Sequence, residues 1–250
     1  MIVIPIRSKR INKNEDILEI FASSLKKNKL KTGDIVVFAS KIVSLWQGRV
    51  VKLSSIKPSK KAKKIAKKYS MEPEFAELVL READHIFGGV KKALLTIKNN
   101  IFIANAGIDK SNAPDGYAIL WPEKPFETAD FLRRKIEEKF DVKIGLIIVD
   151  SHCTPLRLGT SGIALSFSGF EPVSDERGKK DIFGKKLKIT YKNIADSLAT
   201  SASFVMGESN EKTPFVIIRD SGVKIKENKK TISIKPKKCI FSPIYPKGLI

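Results

Sequence analysis

The apolar run Ile144-Gly145-Leu146-Ile147-Ile148-Val149, which ends abruptly in Asp150-Ser151, constrains this chain more than any other stretch. It is rich in β-branched residues and unbroken by polar ones. That pattern predicts a strand buried on both faces, far too short to span a membrane. A polar, glycine-punctuated segment follows, and then a second apolar stretch, Ile163–Phe167. A carboxylate and a hydroxyl at the end of a buried strand stand where chains present chemistry. The same pair also reads as a turn initiator, and the stretch alone leaves both readings open.

The rest of the chain supplies partners for that strand. Ile2–Ile6, Ile35–Phe38 and Phe215–Ile218 read as further strands, and Leu94–Ile97 with Ile101–Ala104 as a strand pair across Lys98-Asn99-Asn100. Helical periodicity predicts a helix over Asp16–Leu30, with Ile17, Leu18, Ile20, Phe21 and Leu25 on one face. Ser59 is placed to cap a lysine-rich helix, and Pro73 sits in the first turn of another. Thr128–Phe140 reads as an amphipathic helix with Phe131, Leu132, Ile136 and Phe140 facing inward. Ile194–Met206 has a small inner face of Ala195, Ala199 and Ala202, which predicts close packing, and Gly207 reads as its C-cap. Asp175–Gly184 reads as a charged loop, and the tail from Gly222 as a basic hairpin edge. The chain is expected to form one unit over 1–250, with two intertwined subdomains as the alternative and 222–250 as a basic tail.

Charge narrows the choice of partner. The net charge is +20, carried mostly by lysines spread along the chain and densest over Lys57–Lys68 and Lys224–Lys238. No RNA-binding aromatic motif, zinc knuckle or helix-turn-helix pattern accompanies them, so nucleic acid is not the expected partner. Steering of small polyanions such as nucleotides is the more useful consequence. Cys153 and Cys239 have no metal-ligand spacing, and the expected location is the reducing cytoplasm.

Three acidic residues, Asp109, Asp150 and Glu208, each follow a core element and are expected to sit in a polar turn. Hard divalent cations take oxygen ligands, and magnesium in nucleotide enzymes is held by one or two carboxylates plus phosphate oxygens. If the three segments converge, they suit such an ion, with the Ser151 hydroxyl as a further ligand. Glu208 adds its own argument. A carboxylate just past a helix C-terminus faces negative partial charge, a conflict that a bound cation removes. No Walker A pattern is present, so a nucleotide site here is not a P-loop.

Four blocks are recognisable together: GDIVVFASKIVS (Gly33–Ser44), NAGIDKSN (Asn105–Asn112), Asp150–Gly169 and ADSLATSASFVMGE (Ala195–Glu208). In their order and spacing the chain resembles the coenzyme F420:L-glutamate ligases (γ-glutamyl ligases) from about Asp16 to Arg219. The resemblance implies an α+β fold of mixed sheets with packed helices, and a homodimer whose site lies partly at the subunit groove. It implies GTP as co-substrate and magnesium or manganese as cofactor, with a monovalent cation as a further one. By motif position Asp109 and Asp150 would hold a first metal, and Ser151 with Glu208 a second. Ser40, Lys41, Asn112 and the loop of Met206, Gly207, Ser209, Asn210, Glu211, Lys212 and Thr213 would touch nucleotide. His152, Cys153 and Arg157 would shape the acceptor pocket. A catalytic Cys-His pair is disfavoured, because neighbours on an extended segment point to opposite faces.

The chain also departs from the family pattern. Leu45 stands where the family carries a nucleotide-contacting lysine, Gln47 where it carries glutamate, and Lys124 where it carries an acid. Arg7–Asn14 (RSKRINKN) replaces the family's Leu-Pro loop. The expected activity is GTP- and metal-dependent ligation of L-glutamate to an anionic acceptor, a coenzyme F420 precursor, through an acyl phosphate. The alternatives are another acceptor such as folate, or a non-catalytic nucleotide- or RNA-binding paralogue.

Overall fold

The computed structural model describes residues 1–227 and 231–245. Its elements begin with β1 (Ile2–Ile6), α1 (Ile17–Ser24), β2 (Ile35–Ala39), α2 (Ser40–Trp46) and β3 (Val50–Lys52). Next come α3 (Lys60–Tyr69), α4 (Pro73–Glu82), β4 (His85–Val90), β5 (Ala93–Lys98), β6 (Ile101–Ala104) and β7 (Tyr117–Ile119). The last are α5 (Pro125–Phe140), β8 (Gly145–His152), β9 (Ser161–Ser168), β10 (Val173–Asp175), β11 (Tyr191–Asn193), α6 (Ile194–Met206) and β12 (Phe215–Arg219). Among the described residues six α-helices and mixed sheets make an α+β fold. Two interleaved units divide the chain: Met1–Val51 with Lys110–Lys230, and Lys52–Asp109 with Thr231–Ile250.

The first unit is built on a five-stranded sheet in the order β1-β12-β2-β8-β9. Only β2 and β8 run parallel, with Ala39 opposite Val149; the other neighbours are antiparallel. Its three central strands are the unbroken apolar runs of the sequence, because residues 35–38, 146–148 and 215–218 have no exposed surface. Removing apolar surface on that scale is the main force holding the unit together, at roughly 25 cal/mol per Å2 buried. Phe21 of α1 packs its ring 5.1 Å from Phe38 and 5.2 Å from Phe215, joining helix to sheet. At the sheet's other end α6 lies against β9 so closely that a Cβ at Gly162 would stand 2.5 Å from the Ala199 carbonyl oxygen. The small face predicted for this helix is what permits that approach.

In the second unit α3 packs on α4 through Ala62, Ala66 and Ala76, and β4-β5-β6 form an antiparallel sheet. Ser59 caps α3, its Oγ accepting from the Ala62 N–H at 3.1 Å. Glu77 of α4 accepts from the Ser59 N–H at 3.0 Å and from Arg81 at 2.9 Å. The Ser59 hydroxyl and amide, with Arg81, hold the Glu77 carboxyl down at about 2.

Several expectations need correction. Helix α1 ends at Ser24, six residues short of Leu30, because Lys26 takes a left-handed φ of 48° that no α-helix continues through. Phe131 is 46% exposed rather than inward; the buried face of α5 carries Arg133 and Glu137 beside Leu132 and Ile136, with Arg133 salt-bridged to Asp130, Glu137 and Glu227. The segment expected as a charged loop belongs to an arm, Val173–Asn193, whose base is the β10-β11 pair and whose chain folds back through hydrogen bonds such as Gly178 N to Leu187 O, 2.9 Å. The basic tail forms no hairpin among its described residues. It makes one bridge, Phe170 to Ile225, and 3-10 turns at Pro236–Lys238 and Ser242–Ile244; residues 228–230 and 246–250 lie outside the described part.

Candidate functional site

The parallel pairing of β2 with β8 explains how residues more than a hundred positions apart become neighbours. Ala39 and Val149 are register partners, so the next residues, Ser40 and Asp150, come side by side where β2 ends and two residues before the end of β8. That end of a parallel pair is where open sheets bind ligands. Asp150 and Ser151 are not a turn. Strand β8 continues through His152, with Ser151 opposite Gly162, and a bulge in its pairing with β9 falls at Ile148/Val149, just before the acid. Bulges of this kind re-aim side chains next to functional sites.

Asp150 is held from three directions. Oδ1 accepts from the Ser151 N–H at 2.9 Å, Oδ2 accepts from the Trp121 indole N–H, and the Ser40 hydroxyl donates a third bond. Loss of water around the carboxylate still pushes its pKa up, and these bonds together with nearby Lys41 offset that only in part. One residue further, the Ser151 hydroxyl donates to Glu208 Oε1 at 2.7 Å, and Thr160 Oγ1 donates to the same oxygen at 3.2 Å. Glu208 lies just beyond Gly207, the C-cap of α6, whose φ of 75° favours glycine.

The loop after Gly207 is pinned at several points. Thr213 Oγ1 donates to the Met206 carbonyl at 2.7 Å, Asn112 Nδ2 to the Ser209 carbonyl at 3.1 Å, and Ser8 N to the Lys212 carbonyl at 2.9 Å. Across from it, Lys41 Nζ donates to the Ser111 hydroxyl at 2.8 Å. These segments enclose a cleft of about 690 Å3, a size suited to a nucleotide. Ser40, Lys41, Asn112, Asp150, Ser151, Met206, Gly207, Glu208, Ser209, Asn210, Glu211, Lys212 and Thr213 all line it. Ser40 is nearly buried and reaches Asp150. The residues at 8–13 (SKRINK) line the cleft as well, adding Lys9, Arg10 and Lys13 to its cations.

Asp109 belongs to the second unit, just after the Asn105–Gly107 turn. His152, Cys153 and Arg157 are not among the lining residues. His152 Nδ1 is bonded to the Ser161 carbonyl at 3.0 Å, and Cys153 is exposed on the loop to β9, whose Leu156 and Leu158 side chains are fully exposed. Leu45 lines the cleft, while Gln47 clasps the backbone of Glu123, its Oε1 accepting from the amide at 2.8 Å and its Nε2 donating to the carbonyl at 3.3 Å. Sequence reasoning missed Trp121 and Thr160. Neither carried a local signal, because each is defined by its contact with a distant carboxylate.

The donor set fits a hard divalent cation. Every candidate ligand is an oxygen, Asp150 is a carboxylate short of water, and Glu208 concentrates negative charge at a helix C-terminus. Among the described residues no group of three or more His, Cys, Asp or Glu side chains gathers as a metal site. Magnesium in nucleotide enzymes needs none, since phosphate oxygens and water complete its shell.

A strand-end carboxylate, hydroxyls and cations around one nucleotide-sized cleft are the equipment of a group-transferring enzyme, and the comparisons with known proteins make the class specific: an amide-bond-forming ligase. The sequence profile of the F420-0:Gamma-glutamyl ligase family matches residues 5–220, and the chain belongs to that family. It is 40% identical over 209 residues to the coenzyme F420:L-glutamate ligase of Methanocaldococcus jannaschii, covering 83% of this chain and 84% of that one. The protein of the same name from Methanopyrus kandleri is 38% identical over 212 residues, 84% and 83% of the two chains. That from Archaeoglobus fulgidus is 33% identical over 213 residues, 85% and 84%.

Proposed function

We propose that this chain joins the amine of L-glutamate to a carboxylate of a coenzyme F420 precursor, using GTP and a divalent metal. The observation that carries the reading is the cleft itself, where Asp150, Ser151 and Glu208 share walls with Lys41, Lys212 and Asn112. The names of the relatives supply glutamate and the deazaflavin acceptor. In the first step an acceptor carboxylate oxygen attacks the γ-phosphorus of GTP, releasing GDP and leaving an acyl phosphate. In the second, the glutamate amine attacks the acyl carbon, phosphate departs with the bonding pair, and the amine loses a proton as the amide forms. Cationic side chains along the cleft hold the polyphosphate and draw a carboxylate toward it against their mutual repulsion. Asp150, Ser151 and Glu208 would hold a divalent ion, which would supply further charge neutralisation on the phosphate oxygens.

The reading includes a homodimer. The arm Val173–Asn193 has Ile182 and Phe183 at its tip, which are 93% and 82% exposed, and Ile189 nearer its base is 85% exposed. A two-stranded ribbon with bare apolar residues is marginal in water and gains from a second copy covering it. The test of function is a reaction of purified protein with glutamate, manganese and GTP or ATP, offered the F420 precursor or a folate. Deazaflavin-dependent phosphate release with a glutamyl adduct supports the proposal. Release with folate alone moves the acceptor, and no acceptor-dependent release under any combination favours a non-catalytic protein.

A further inference from the structure

We infer that Trp121 is a positioning residue for Asp150: its indole N–H fixes the carboxylate in the one orientation that leaves an oxygen open toward the cleft. The inference rests on the reading of Asp150 as a metal ligand. Trp121 is 2% exposed and donates to Oδ2, while Ser151 N donates to Oδ1 at 2.9 Å and Ser40 adds its hydroxyl. A carboxylate has about four acceptor sites, so three donors leave about one for a cation, which favours a single-oxygen contact over a two-oxygen grip. Magnesium and manganese sites on phosphates use such contacts, completing their shells with phosphate and water.

Trp121 is itself anchored. The Leu120 N–H just before it donates to the Arg49 carbonyl at 3.0 Å, the Trp121 carbonyl accepts from Arg49 Nε at 3.2 Å, and Pro122 fixes the backbone beyond. The ring therefore cannot follow Asp150 if the carboxylate turns; the carboxylate must stay with the ring. Outer groups that orient a metal's ligands are typically worth about 10–100-fold in metal affinity. Apart from Trp121, the only other tryptophan is Trp46, stacked on Phe131 with ring centroids 6.0 Å apart. In Trp46→Phe protein the emission of Trp121 alone then reports on the carboxylate it touches.

The experiment titrates manganese into Trp46→Phe protein with a non-hydrolysable GTP analogue present, following Trp121 fluorescence and free manganese by electron paramagnetic resonance. Two changes at position 121 are compared: Trp121→Phe, and replacement by benzothienylalanine, which keeps the bicycle and lacks the N–H. Saturable quenching of Trp121 should track manganese uptake. The benzothienyl protein should melt at an unchanged temperature and bind manganese about 10–100-fold more weakly. If Trp121→Phe fails to fold, the benzothienyl protein decides alone. Unchanged manganese affinity in the benzothienyl protein overturns the inference and leaves the metal reading intact. Absence of manganese binding to the parent protein, with its fold intact, overturns both.

Discussion

Adding one methyl group at Gly162 tests how the site is held together. A Cβ there would stand 2.5 Å from the Ala199 carbonyl oxygen, 2.7 Å from the Ser203 Cβ and 2.8 Å from the Ala199 carbonyl carbon. Comfortable separations between such atoms are about 3.5 Å, so α6 must withdraw from β9 by on the order of 1 Å. The withdrawal would stretch the bond from Thr200 Oγ1 to the Gly162 carbonyl, now 2.8 Å. Overpacking of this kind costs about 1–3 kcal/mol. Its larger consequence lies at the cleft, because Gly162 is the register partner of Ser151 and Glu208 follows the end of the displaced helix. Displacing a ligand-holding group by about 1 Å costs roughly 100-fold in rate. Gly162→Ala should therefore lose about 1–3 kcal/mol in urea unfolding and about 100-fold in kcat/KM for the acceptor. Stability within ~0.5 kcal/mol of the parent and activity within a few-fold would refute the close helix–strand contact as the element that sets the site.

Two further outcomes follow from other parts of the chain. Glu77 has a folded-state pKa of about 2 against an ordinary 4.5, so its contribution to stability is complete above about pH 4.5 and is lost as pH falls toward 2. The full shift corresponds to about 3 kcal/mol, and solvent screening reduces this to about 1–2 kcal/mol; urea midpoints of Glu77→Gln should lack that part of the acid sensitivity seen in the parent. Phe183→Ser at the arm tip should leave the melting temperature of the core unchanged and shift the protein from dimer to monomer in sedimentation velocity. A dimer of unaltered affinity would exclude the arm as the interface.

The sequence made the sheet legible because its central strands are buried on both faces and read as unbroken apolar runs. Helix α6 was equally plain, since its alanine face and Gly207 stop agree with each other. Helix α2 was not foreseen: Ser40 opens it directly from the strand, and no side chain caps its N-terminus to mark the change. Strand β4 was missed because Gly88 and Gly89 interrupt its apolar pattern. At the site, Asp150, Ser151, Glu208 and the 206–213 loop could be named from their places after core elements and from the family motifs. The partners that hold them could not. Trp121 and Thr160 matter only through hydrogen bonds to residues 29 and 48 positions away. The Arg7–Asn14 segment read as a replacement for the family's Leu-Pro loop, and six of its eight residues line the cleft, because Ile11 is buried and Glu15 ties Lys9 and the Asn12 amide.

The central claim is that the cleft around Asp150 carries the metal- and nucleotide-dependent chemistry. The most direct measurement is acceptor-dependent phosphate release from GTP by Asp150→Asn protein beside the parent, with circular dichroism confirming a shared fold. The account predicts steady release by the parent in the presence of manganese, the F420 precursor and glutamate, and loss of at least about 100-fold in the variant. Release at the parental rate by a correctly folded Asp150→Asn protein would contradict it.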